Sequence, residues 1–183
     1  LAQGFEEDVA NSVSDHYLPI GLTSVIPKKP FSYSISIVDK IDTLVGFFVI
    51  DEKPTSSKDP FALRRAAIGL LRIIIENKLS FKLRDLISYA IRLYQEQGVK
   101  IINEKTEHEV LEFINERMRN VLKLKNIQTD IIEASISSHS GDNFLALYKK
   151  TILMNKYKNK GIGLNAISSV SYTHLRAHET IHY

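Results

Sequence analysis

Lys53, Lys58, Arg64, Arg65 and Arg72 are the residues whose type and spacing first suggest chemistry. They lie in a stretch, residues 53–84, that carries eight Lys and Arg against only Asp59 and Glu76. Residues 1–52 are the reverse, with three basic residues against eight acidic ones, and the whole chain has a formal net charge of +3. The positive charge is therefore local. Ammonium and guanidinium groups gathered this way neutralise phosphates and release counterions, and Arg also stacks on bases. These five cations are the candidate RNA contacts. The competing reading is a solvated helix face, which charge runs commonly form. Lys123, Lys125, Lys149, Lys150, Lys156, Lys158 and Lys160 make a second, looser basic supply.

Other chemistries lack their residues. Nucleotide binding by a phosphate loop needs Gly-x-x-x-x-Gly-Lys-Ser/Thr, and Gly161-Ile-Gly163 is a bare glycine pair. No Gly-x-Ser-x-Gly elbow is present, and no cysteine supplies a thiolate or a disulfide. A phosphohydrolase metal centre of the His-Asp type needs one His, an adjacent His-Asp pair and a distant Asp. Asp39 or Asp42 could serve as the distant Asp, but no His-Asp dipeptide occurs. No bound metal is expected, and His108 and His139 read as surface residues.

The elements that must position the cations are helical. Residues 5–17 read as a helix. Leu18 to Pro30 is punctuated by Pro19, Gly21, Pro27 and Pro30 and reads as a loop. From Tyr33 to about Ile50, the residues Ile37, Ile41, Leu44, Val45 and Phe48 recur at offsets of a helix rather than a strand. The polar loop Lys53–Lys58 then runs into Asp59, an expected N-cap, and Pro60, expected at the first helical position. The predicted helix spans Phe61 to about Asn77, with Leu63, Ala67, Leu70, Leu71 and Ile74 inward and Arg65, Gly69, Arg72 and Glu76 on the opposite face. Arg72 and Glu76 are spaced to pair, and Arg64, on an apolar stripe, must snorkel or find a partner. Leu83, Leu86, Ile87, Ala90, Ile91 and Tyr94 mark a helix over 82–97 that Gly98 closes. Thr106 to Glu109 predicts a capping box opening a helix to about Leu124. Further helices are predicted from Thr129 or Asp130 to before His139, and from about Asn143 to Lys156. The fold class is all-α.

Asp39-Lys-Ile-Asp-Thr-Leu-Val-Gly-Phe-Phe48 and Glu52-Lys-Pro-Thr-Ser-Ser-Lys-Asp-Pro-Phe-Ala-Leu-Arg-Arg-Ala-Ala67, with His16-Tyr-Leu-Pro19 upstream, resemble the β subunit of the bacterial two-subunit glycyl-tRNA synthetase. The resemblance covers about residues 1–155. It implies a cytoplasmic tRNA(Gly)-binding subunit in a heterotetramer of two α and two β chains. The α subunit would hold the active site, bind ATP and attach glycine. The resemblance further implies that residues 1–52 end an HD-like helical domain and 53–105 form the basic loop and a helical linker. Residues 106–169 would then begin an anticodon-binding-type helical domain, to which Phe113-Ile-Asn-Glu-Arg-Met-Arg119 fits. The rival readings are an HD-like metal-dependent phosphohydrolase and a non-enzymatic helical scaffold.

Hydrophobic content of 44% and charged content of 25% suit a globular protein of one or two domains. No run of about 18 apolar residues suggests a membrane span, and no signal-peptide pattern opens the chain. Leu1 in place of Met reads as the start of a fragment. Val170-Ser-Tyr-Thr-His-Leu-Arg-Ala-His-Glu-Thr180 resembles a translated sequencing adapter, so residues 170–183 are expected to be an artefactual tail. Without that resemblance, His174, His178 and His182 would read as a divalent-metal display on one helix face.

Overall fold

The computed structural model describes residues 7–21, 23–55, 58–139 and 141–159. The expected tail and its three histidines lie outside them. The described residues form seven α-helices and no strand: α1 (Glu7–Asp15), α2 (Pro30–Val49), α3 (Leu63–Glu76), α4 (Leu83–Glu96), α5 (Thr106–Lys123), α6 (Thr129–Ser137) and α7 (Phe144–Asn159). The all-α expectation holds.

The chain divides into two compact units. One comprises residues 1–121 and 141–145, the other residues 122–140 and 146–183.

In the first unit, α2 packs against α1, α3 and α4. Its predicted stripe, Ile37, Ile41, Leu44, Val45 and Phe48, is buried throughout. Helix α3 answers with Leu63, Ala67, Leu70, Leu71 and Ile74, also buried as expected. From α5, the Phe113 ring meets Phe48 edge-on at 5.3 Å between centroids. Each such side chain removed from water contributes about 1.5–3 kcal/mol, which is what holds short helices together.

Three local expectations are corrected. Helix α3 starts at Leu63, not Phe61, because Ala62 adopts a left-handed conformation at φ 56°. Asp59 still satisfies the first turn, from outside the helix: its carboxylate accepts from the amides of Leu63 at 2.8 Å and Arg64 at 3.0 Å. The capping box at Thr106 does not form. The Thr106 hydroxyl donates to the Asn103 carbonyl, and Glu109 accepts from the Asn103 side-chain Nδ2 at 2.8 Å instead. On α4, Leu83 and Ile87 are buried, but Leu86 is exposed, as are Tyr89 and Leu93. The predicted C-terminus of α4 is right. Gly98, at φ 80°, donates to Gln95 and Val99 donates to Tyr94, the paired closure that a left-handed residue permits.

In the second unit, Leu122, Ile127, Ile131, Ile132 and Leu147 are buried. Lys158 donates to Gln128 at 2.6 Å and pairs with Asp130. The hydrogen bond that Lys158 donates to Asp130 holds that carboxyl below its usual range.

Candidate nucleic-acid interface

The five sequence-predicted cations have different environments. Lys53 sits between Asp51 and Glu109, 2.6 Å from each. Partial burial pulls its ammonium down, but the two carboxylates outweigh this and leave it raised; Glu109 is correspondingly lowered, first by the Lys53 hydrogen bond. Lys53 thereby ties the loop to α5. Arg64 pairs with Asp59 and donates to the Thr55 carbonyl, so it has the partner its stripe required. The helical wheel places Arg72 on the outer face. It is instead half-buried, donating to the Gly21 carbonyl at 2.6 Å while its Nε bonds Glu76 at 3.0 Å. With Asn77, which donates to the Pro27 carbonyl at 3.0 Å, it pins the loop after α1 onto α3.

Lys58 and Arg65 are exposed, and among the described residues neither is held in an ion pair. They are the two cations of the motif left available to an outside anion.

Arg65 also lines an open pocket of about 360 Å³ built from the loop after α1 (Tyr17, Pro19, Ile20), from α2 (Asp39, Lys40, Thr43) and from the start of α3 (Phe61, Ala62, Ala66). Lys40, which no charge motif marks, is the unexpected member. It is only 4% exposed, and its ammonium donates to the Ser36 hydroxyl at 2.9 Å and the His16 carbonyl at 3.2 Å. No carboxylate lies within salt-bridge distance of it among the described residues. Burial lowers its pKa, which nearby Asp39 only partly offsets. The available signal was register: position 40 lies three residues after Ile37 and four before Leu44, on the apolar stripe itself.

Gly69 explains how a lysine fits there. The helical wheel puts it on the solvent face, yet it is buried; a Cβ at Gly69 would fall 2.9 Å from Lys40 Cε and 3.3 Å from the Pro19 carbonyl oxygen. Of the candidate metal residues, Asp42 accepts from the Tyr94 hydroxyl at 2.9 Å and Asp39 lines the pocket beside Lys40. His108 is exposed as expected, whereas His139 is half-buried.

The Phe113–Arg119 motif packs inward: Phe113, Ile114 and Met118 are buried, and the Arg117 guanidinium lies 3.7 Å from the Phe113 ring centroid.

Comparison with known proteins agrees with these motifs. A family model described as glycyl-tRNA synthetase beta subunit matches residues 1–137. The chain belongs to the glycyl-tRNA synthetase β-subunit family. Similar proteins include glycine–tRNA ligase β subunits of Rhodospirillum centenum, 40% identical over 81% of this chain and 20% of the relative, and of Colwellia psychrerythraea, 42% identical over 75% and 20%. The β subunit of a Ruegeria species is 33% identical over 91% of this chain and 23% of the relative. The chain thus spans about a fifth of the length of these curated relatives. No helix among the described residues is long and apolar enough to cross a membrane.

Proposed function

We propose that this chain is a tRNA-binding part of a glycine–tRNA ligase β subunit. It works in the cytoplasm with an α subunit, in a two-α, two-β assembly, and supports the ATP-dependent attachment of glycine to tRNA(Gly). ATP and the chemistry belong to the partner; this chain supplies RNA contacts. The observation that carries the reading is the family match over residues 1–137, which includes the basic loop and α3. Exposed Lys58 and Arg65, which are in no ion pair among the described residues, support it, because an available cation neutralises a phosphate without first breaking an internal bond.

The phosphohydrolase reading is weaker on electrostatic grounds. The Lys40 ammonium shares the pocket with Asp39 and opposes a divalent cation at that carboxylate. The testing experiment is equilibrium binding of tRNA(Gly) to the 183-residue chain over a range of salt, with phosphate-ester hydrolysis assayed in parallel. Salt-sensitive, saturable binding without hydrolysis is expected. Hydrolysis without tRNA binding would overturn the proposal.

A further inference from the structure

A buried ammonium that forms no salt bridge is unusual, since burying a charge is costly unless it is paired. Lys40 makes two hydrogen bonds to neutral oxygens and no ion pair among the described residues, and nearby Asp39 offsets its buried charge only in part. The fold nevertheless makes room for it through Gly69, a residue disfavoured in a helix interior. Lys40 lines the same pocket as Arg65, so two cations converge from α2 and α3 against the single carboxylate of Asp39, which leaves the lining net positive. Tyr17 and Phe61 also line the pocket and are exposed. Cations joined to aromatic faces match a nucleotide, with phosphate on the one and base on the other.

We propose that this pocket is a nucleotide subsite for single-stranded RNA, in which Lys40 and Arg65 hold a backbone phosphate and Tyr17 and Phe61 flank the adjoining base. The assignment rests on the tRNA-binding reading above. A polymer suits the site better than a free mononucleotide for two reasons. The pocket is open, and the exposed cation Lys58, on the loop leading into α3, adds positive charge outside it where further phosphates would run.

The test titrates the 183-residue chain with a short single-stranded RNA, with AMP and with intact tRNA(Gly). The wild type is compared with Lys40→Met, which keeps the stem and removes the charge, and with Arg65→Gln, which lies at the surface and is secure in folding. Each variant is expected to weaken the short RNA by about fivefold or more and to reduce the salt slope by up to about one. Tyr17→Ala should weaken it about fivefold or more through lost stacking. AMP should bind more weakly than the short RNA and compete with it. Wild-type affinity for the short RNA in folded Lys40→Met, or in Arg65→Gln should Lys40→Met fail to fold, would overturn the subsite. AMP binding as tightly as the RNA would overturn the polymer assignment. If intact tRNA fails to bind while the short RNA depends on Lys40, the tRNA reading falls and the subsite stands. If tRNA binds equally well to all variants, the subsite falls and the tRNA reading stands.

Discussion

Gly69 on α3 and Lys40 on α2 are in such close register that a Cβ on Gly69 would sit 2.9 Å from Lys40 Cε. Replacing a helical glycine by alanine ordinarily stabilises by about 1 kcal/mol. Here Gly69→Ala is expected to lower the melting temperature instead, because the Pro19 carbonyl oxygen, 3.3 Å away, is backbone and must also move. Thermal unfolding followed by circular dichroism decides the sign. A rise matching the propensity gain would show that the contact yields freely.

Lys40 has its folded pKa lowered by burial from the usual 10.5. The unfolded chain therefore binds the proton more readily. Stability contributed by this group is present above the unfolded value and is lost as pH falls through the folded one. Lys40→Met is expected to raise the melting temperature at neutral pH, on a scale of about 2–4 °C per kcal/mol. The gap should narrow as pH climbs toward 10.5. Melting curves of both proteins across that range test it, and a lower melting temperature for the variant at neutral pH would contradict it.

Tyr94 joins α4 to α2 by donating to Asp42, and its phenol is pushed up to about 12, first by burial and then by that carboxylate. A raised folded pKa stabilises below the unfolded value of 10.0 and loses its contribution as pH rises through about 12. Ultraviolet titration of the phenols should show one late ionisation that Tyr94→Phe removes. Gly46→Ala should break the same link, since its Cβ would lie 2.5 Å from the Tyr94 hydroxyl oxygen. A Tyr94 that titrates near 10 would contradict the packing of α4 on α2.

The Glu109 carboxyl, held low chiefly by Lys53, stabilises above the unfolded carboxylate pKa and loses this as pH falls through its folded value. Glu109→Gln should therefore reduce stability at neutral pH and remove part of the acid sensitivity. The effect should be modest, because both partners are about a third exposed. Urea midpoints at neutral and acidic pH measure it; equal midpoints in the two proteins at neutral pH would show that the pair is only an exposed contact.

What was legible in the sequence was what neighbours in the chain decide. The α2 stripe and the Gly98 closure follow from offsets of three and four and from one left-handed residue. What escaped depends on distant partners. Arg72 turned inward because its acceptor, Gly21, lies 51 residues away. The first turn of α4 is capped by Asp142, 58 residues from Arg84, and no helical wheel contains that bond. Gly69 looked solvent-facing because α3 buries a second side against the loop after α1. Of the five candidate cations, the charge run located the region but could not separate Lys58 and Arg65 from three that serve the fold.

Under the proposed function, Lys58 and Arg65 meet tRNA phosphates. The most direct measurement is tRNA(Gly) affinity against salt for the Lys58→Ala, Arg65→Ala double variant in the assembly with the α subunit. Weaker binding is expected, with a salt slope reduced by up to about one unit per lost contact and helicity intact because Ala favours helix. Unchanged affinity and slope in a folded double variant would contradict it.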